Sequence, residues 1–68
     1  MKVSNNVKAL RLAAGMSQPE VAAKLKISTP SVTKWERGRA NPDLENAFKL
    51  AELFGVSISE VVIQDTGA

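Results

Sequence analysis

The chain has 68 residues, a formal net charge of +2, and neither cysteine nor histidine. A chain of this length forms one small domain over residues 1–68, with no disulfide framework and no thiolate chemistry. Without histidine it lacks the commonest metal ligand and general base, so we expect no enzyme activity, small-molecule substrate, cofactor or metal site. No apolar run is long enough for a signal peptide or a membrane span, which favours a cytoplasmic protein without a membrane partner.

The charges are distributed unevenly along the chain. Residues 24–39 carry a local charge of +4, from five cations and one carboxylate, and residues 40–68 carry −4, from one cation and five carboxylates. Phosphate binding requires clustered cations, whereas scattered acids are typical of a solvated surface. The basic segment is therefore the stronger functional signal.

Capping and stop signals mark the first two helices. The first is predicted from a cap at Ser4 or one of the next two asparagines as far as Ala14, where Gly15 ends it. Its apolar face comprises Val7, Leu10 and Ala14. The second helix opens at Ser17 with a capping box to Glu20. Its inward side chains are Val21, Ala22 and Leu25.

The third helix has two different faces. Ser28 is its predicted N-cap, with a side-chain oxygen that accepts from a free backbone N–H, and Gly38 ends it in the left-handed conformation. Val32 and Trp35 fall on one side, and Trp35 is expected in the core. The opposite side carries Pro30, Thr33, Lys34 and Arg37. One face is thus anchored in the protein while the other offers hydroxyls and cations to a partner.

A fourth helix is predicted from a cap at Asp43 through Phe54, ending at Gly55. One of its faces combines Leu44, Ala47, Phe48 and Ala51, and further apolar residues lie on its other faces. A helix that is apolar over so much of its circumference is expected to be central to the core.

The C-terminal segment combines a short helix with extended structure. Ser57 and Glu60 form a capping box, and the β-branched run that begins at Val61 favours a strand, so the helix should give way near Val62. We expect residues 61–64 to pair with residues 1–3 as a two-stranded ribbon, followed by a frayed tail over 65–68.

Residues 17–38, SQPEVAAKLKISTPSVTKWERG, resemble the helix-turn-helix of Cro/phage-repressor-type regulators, also called the xenobiotic-response-element family. With the WERG and NP motifs that follow, the resemblance extends over roughly residues 6–61. It implies an all-α, compact five-helix lambda-repressor-like DNA-binding domain. It also implies sequence-specific binding to double-stranded DNA by a homodimer, with the helix 28–37 in the major groove of a palindromic operator.

The resemblance further implies which residues contact DNA. Thr29, Pro30 and Lys34 match base-reading positions, where Lys34 could donate to guanine and Pro30 could make only apolar contact. Relatives commonly have a polar residue at the position of Pro30. The whole predicted DNA-contacting set is Gln18, Ser28, Thr29, Pro30, Thr33, Lys34, Arg37, Arg39 and Asn41.

The remaining members of this set match positions near the DNA backbone. Gln18 corresponds to a contact with a phosphate or a base, and Thr33 and Arg37 lie close to the backbone. Arg39 and Asn41 belong to a loop that touches phosphates in relatives, although the Asn41-Pro42 turn could equally serve to shape that loop.

Three further residues concern stability. Arg11 and Glu36 match a pair that forms an ion pair between the first and third helices of the family. Lys26 stands where relatives usually have glycine in the turn between the motif's helices. If that turn requires a left-handed backbone, lysine there costs on the order of 1–2 kcal/mol.

Two functional hypotheses remain open. An enzyme is a third option, which the sequence supports less than these two. The first is a bacterial or phage transcriptional repressor that binds DNA as a homodimer through its last helix and the residues after it: Val56, Ile58, Val61 and Ile63. The alternative is a protein-interaction module, such as an antitoxin or adaptor, whose partner covers an apolar surface around Phe54, Val61 and Ile63.

Overall fold

The computed structural model describes residues 2–65; Met1 and residues 66–68, which belong to the predicted ribbon and tail, lie outside the described residues. Five helices and a two-stranded antiparallel sheet occupy this range, as expected. In chain order they are β1 (Lys2–Asn5), α1 (Val7–Ala13), α2 (Gln18–Leu25), α3 (Thr29–Glu36), α4 (Leu44–Phe54), α5 (Ile58–Val61) and β2 (Val62–Asp65).

All five helices contribute to one hydrophobic core. Its buried members are Val7, Val21, Ala22, Leu25, Val32, Trp35, Ala47, Leu50, Ala51 and Val61. Val32 is fully buried and Trp35 is only 6% exposed, so α3 is held in place by these two side chains. The prediction that Trp35 belongs to the core is confirmed.

Most of the predicted helix ends are confirmed by hydrogen bonds. At α2, the Glu20 N–H donates to Ser17 Oγ over 3.2 Å, and the Ser17 N–H donates to Glu20 Oε1 over 3.0 Å. At α4, the Asn46 N–H donates to Asp43 Oδ1 over 2.9 Å, and the helix ends at Gly55 in the left-handed conformation. These local bonds account for donors that a helix would otherwise leave unpaired.

The predicted side-chain cap at Ser28 is wrong, although Ser28 does precede the first residue of α3. Pro30 has no N–H to donate, and the N–H of Ser31 is already bonded to the Ser28 carbonyl over 3.1 Å. The Ser28 hydroxyl instead lies 3.0 Å from the Ser31 hydroxyl.

The first helix is shorter than predicted. It begins at Val7 after Asn6, whose side chain makes no capping bond, and the Val7 N–H instead donates to Asn5 Oδ1 over 3.2 Å. Ala14 lies just past the last helical residue and is exposed, so it does not extend the buried face as expected.

The predicted ribbon is confirmed with slightly different bounds. β1 and β2 pair antiparallel, with Val3 opposite Gln64 and Asn5 opposite Val62. Val61 stays in α5 because its side chain is fully buried, and the strand starts one residue later. Asp65, which the sequence predicts to lie in a frayed tail, is the last residue of β2.

The apolar surface differs most from expectation. Leu44 and Phe48 are 68% and 57% exposed, because the buried stripe of α4 runs through Ala47, Leu50 and Ala51 instead. The residues predicted to form a dimer contact are mostly used by the core: Val61 is fully buried in it, and Val56 and Ile58 are partly buried against the core cluster. Val61 is inaccessible and cannot belong to the apolar partner surface predicted around it, whereas Ile63 is 38% exposed and Phe54 is half-buried.

Candidate nucleic-acid interface

The turn between α2 and α3 adopts a left-handed backbone conformation at Lys26, where a lysine is strained and a glycine would not be. Lys26 has φ 58° and ψ 45° and is the only non-glycine residue with positive φ among those described. Its backbone N–H donates to the Ala23 carbonyl over 3.2 Å, and the next N–H, from Ile27, donates to Ala22 over 3.0 Å. These bonds close α2 and direct the chain into α3.

The exposed face of α3 gathers six of the nine predicted DNA-contacting residues. They line one open concavity of about 360 Å³: Thr29, Pro30, Thr33, Lys34, Arg37 and Arg39. The three cations of this group are exposed, and no carboxylate lines the concavity. The surface is therefore electropositive and suits an anionic ligand.

Gly38 brings Arg39 onto this surface. At φ 72° it reverses the chain, and the Arg39 N–H donates back to the Lys34 carbonyl over 2.9 Å. This Schellman-type ending places a residue from the following loop beside the last turn of α3.

Gln18 and Thr33 are joined inside the motif. The Thr33 hydroxyl donates to Gln18 Oε1 over 2.8 Å, and Gln18 Nε2 donates to Glu36 Oε1 over 3.0 Å. Both side chains are half-buried. Sequence reasoning treated Gln18 and Thr33 as separate surface contacts and missed this connection, which no local signal indicates.

Arg11 and Glu36 form a two-pronged ion pair behind these residues. Arg11 Nε lies 2.6 Å from Glu36 Oε2, and its Nη2 donates to Oε1 over 3.0 Å. The third nitrogen of the guanidinium, Nη1, donates to the Met16 carbonyl over 2.8 Å, so one side chain links α1, the loop before α2, and α3. The side chains are only 11% and 4% exposed.

The environment of Glu36 determines its charge. Burial alone would raise the pKa of this carboxyl, but hydrogen bonds from Arg11 and Gln18, together with the Arg11 charge, hold the pKa below its ordinary value. Glu36 is therefore ionised near neutral pH and is paired within the protein rather than presented to an anionic ligand.

The two remaining predicted contacts are engaged locally. Asn41 Oδ1 accepts from Asn5 Nδ2 over 2.9 Å, and Asn41 Nδ2 donates to the Val3 carbonyl over 3.2 Å. This fastens the loop after α3 to β1, as expected for a loop-shaping residue. Ser28 is exposed at the start of α3, with its hydroxyl against Ser31.

A larger concavity of about 510 Å³ lies elsewhere, between α2 and α4. It is lined by Lys24, Leu25, Lys26, Lys49, Glu52 and Leu53, and it shares no residue with the surface of α3. Its lysines are exposed and Glu52 offsets part of their charge, so size alone does not make it the better candidate.

Other kinds of site are not found over residues 2–65. In that range no group of three or more carboxylates, histidines or cysteines is arranged to hold a metal ion. No helix of the described chain has the length and apolar character needed to cross a membrane.

Comparison with known proteins agrees with this geometry. The model of the helix-turn-helix family matches residues 7–61. Over 63 residues the chain is 33% identical to an uncharacterized HTH-type transcriptional regulator of Methanocaldococcus jannaschii, covering 93% of this chain and 96% of that protein. It is 34% identical over 59 residues to RstR, a cryptic phage CTXphi transcriptional repressor of Vibrio cholerae, covering 87% of this chain but 53% of RstR.

A solved structure from Bacteroides fragilis has the same fold. It superimposes with a TM-score of 0.84 over 90% of this chain and 98% of that one, at 20% sequence identity. At this identity the similarity concerns the fold alone.

Proposed function

The chain belongs to the Cro/C1-type helix-turn-helix family of transcriptional regulators, and from that membership we propose that it binds double-stranded DNA sequence-specifically and acts as a repressor. The observation that carries this proposal is the exposed face of α3, where Lys34, Arg37 and Arg39 surround one open concavity while Val32 and Trp35 anchor the opposite face. The name of the relative RstR supports repression. Binding to cellular double-stranded DNA would place the protein in the cytoplasm.

In the proposed complex α3 lies in the major groove, with its first residues at the base edges. Lys34 donates to guanine O6 or N7, and Thr29 bonds a base edge or offers its methyl to thymine. Pro30 has no donor and contributes only apolar contact, for example with a thymine methyl. Sequence preference then depends mainly on Lys34 and Thr29.

The other proposed contacts hold the protein on the DNA backbone. Arg37 and Arg39 are exposed cations beside the groove-facing surface, and each neutralises a phosphate. Ser28 donates its hydroxyl at the start of α3, and Asn41 retains one amide N–H beyond its bonds to β1. Such contacts orient the protein without distinguishing sequences.

We propose a homodimer that binds a two-fold symmetric operator, with the two recognition helices about 34 Å apart along one DNA face. Support for a contact between copies comes from α4, where Leu44 and Phe48 are largely exposed, and Val3 borders the same concavity as Leu44. Three side chains are far fewer than the about 20–30 residues per partner of a standard interface. The dimer is therefore weak in free solution and forms on DNA.

The test is selection of random duplex DNA on the purified protein, followed by binding to the enriched duplex over a range of salt concentrations. A two-fold symmetric sequence is expected, with log affinity falling steeply against log salt. Lys34→Ala should weaken binding, and Lys49→Ala, the same charge change on α4, should not. Absence of an enriched sequence would refute autonomous operator binding.

A protein-interaction module is the second candidate, because Leu44 and Phe48 leave a large apolar area on α4 uncovered. An antitoxin or adaptor would use this face for a protein partner and would need that partner to bind DNA well. The discriminating measurement is whether duplex binding at physiological salt survives without any other protein.

A further inference from the structure

We infer that Thr33 does not itself donate to the DNA backbone but is a positioning residue, whose hydroxyl orients Gln18 so that the Gln18 amide donates to a DNA phosphate. The inference rests on the proposed DNA-binding function and assigns different roles to two residues that the family resemblance treats alike.

Thr33 has a single O–H to donate. That hydrogen points to Gln18 Oε1 over 2.8 Å, and the other acceptor in reach, the Thr29 carbonyl, is farther away at 3.3 Å. Phosphate oxygens can only accept hydrogen bonds. Thr33 could therefore donate to a phosphate only by giving up its bond to Gln18.

Gln18 has the opposite property, since its amide carries two N–H groups. One donates to Glu36 Oε1 over 3.0 Å, and the amide oxygen is occupied by the Thr33 hydroxyl. The second N–H is used by neither bond and remains free to donate to an acceptor such as a phosphate.

Glu36 fixes which way the amide faces. Its carboxylate can only accept, so rotating the amide by 180° would turn Gln18 Oε1 toward it and leave two oxygens facing each other. Glu36 is itself held by Arg11 at 2.6 and 3.0 Å and is almost inaccessible to solvent. The Gln18 amide is therefore held from both sides, by Thr33 at its oxygen and by Glu36 at its nitrogen.

The position of Gln18 is suited to this role. It is the first residue of α2, and its bond to Thr33 ties it to the exposed face of α3. An ordered side chain loses less conformational freedom when it binds, so removing the Thr33 hydroxyl should weaken a contact that Gln18 makes.

The experiment is a double-mutant cycle on DNA affinity, with the duplex enriched from a random pool by the unmodified protein as probe. Gln18→Ala should weaken binding about 10- to 150-fold, as expected for loss of a hydrogen bond to a charged group. Thr33→Val, which keeps the branched shape, should weaken it by the same factor or less. The double variant should bind no more weakly than Gln18→Ala, and Thr33→Ser should restore affinity to within about twofold of the unmodified protein.

A matched control is Ser31→Ala, which removes an α3 hydroxyl outside the network. Its effect, whatever its size, should multiply with that of Gln18→Ala. Circular dichroism melting shows whether each variant is folded at the assay temperature, and Thr33→Ala replaces Thr33→Val if the latter is not.

Nuclear magnetic resonance provides a readout that a purely structural role of Thr33 would not change. On adding the duplex, one of the two Gln18 side-chain amide proton signals should shift and the other, bonded to Glu36, should move little. In Thr33→Val this selectivity should be lost.

Several results would overturn the inference. If the effects of Thr33→Val and Gln18→Ala multiply, or if Gln18→Ala binds like the unmodified protein, Thr33 contacts DNA directly or the Gln18 contact does not exist. If Thr33→Val binds normally, its hydroxyl has no role. If the unmodified protein shows no salt-dependent DNA binding, the proposed function is refuted and this inference with it. If it binds DNA but the two substitutions do not couple, only this inference is refuted.

Discussion

Replacing Lys26 with glycine should stabilise the protein. Lys26 is held at φ 58° by the turn that joins α2 to α3, and its side chain is exposed and makes no hydrogen bond or ion pair over residues 2–65. Glycine has no Cβ, so it adopts this conformation without the clash with the backbone that a lysine Cβ makes. The substitution therefore removes strain without removing a contact.

Two opposing terms determine the magnitude. Relief of the left-handed strain contributes about 1–2 kcal/mol. Glycine also makes the unfolded chain more flexible, which opposes this by about 0.4–1 kcal/mol. From the midpoints of these two ranges we expect the free energy of unfolding to rise by about 0.8 kcal/mol. In a domain of this size the Tm should then rise by about 3–6 °C.

Urea unfolding and thermal melting, both followed by circular dichroism, measure the effect. Lys26→Ala is the essential control, because it removes the same charge but keeps a Cβ and should not stabilise. Lys24→Gly, in the last turn of α2, should lower stability by up to about 1 kcal/mol. Equal stabilisation by Lys26→Ala and Lys26→Gly would refute the strain argument and attribute the gain to charge; no gain from glycine would also refute it.

Three further predictions concern the interface, the ion pair and the exposed face of α4. Lys34→Ala should cost about 1–3 kcal/mol in operator affinity and relax one base position in a repeated selection; uniform weakening across sequences would instead indicate a phosphate contact. Because Glu36 has a lowered pKa, its contribution to stability is complete above the ordinary carboxyl range and is lost as pH falls through the lower folded value. The free energy of unfolding, measured in urea between pH 7 and pH 3, should therefore fall less in Glu36→Gln than in the unmodified protein. Phe48→Ser should change the Tm little, because Phe48 is 57% exposed, yet weaken dimer formation on DNA in analytical ultracentrifugation; unchanged assembly would exclude this face.

Much of the architecture could be predicted from the sequence because the signals that produce it are local. A capping box joins Ser17 to Glu20 only three residues away, and Gly55 ends α4 by its own conformational freedom. The three-residue spacing of Val32 and Trp35, with polar residues between them, determines which side of α3 is anchored. The same short motifs carry the family membership, and with it the proposed function.

The failures of prediction arose where several elements compete for the same surface. Periodicity placed Leu44 and Phe48 on a face with Ala47 and Ala51, but only the crossing of the neighbouring helices decides how wide a stripe of α4 is covered. Val61 could not be distinguished from a surface residue by its sequence context. It is fully buried because α5 packs back onto α4 before the chain enters β2.

At the candidate interface, too, some features follow from the local sequence and others only from how the helices pack. The sequence by itself determined the residue types on α3, its cationic face and the conformational demand at Gly38. Only the tertiary structure decided that the Gln18 amide lies between Thr33 and Glu36, 15 and 18 residues away, and that Asn41 is bonded to Asn5, 36 residues away. Hydrogen bonds of this kind require donor and acceptor to meet within about 3 Å, a condition set by how helices pack rather than by neighbours along the chain.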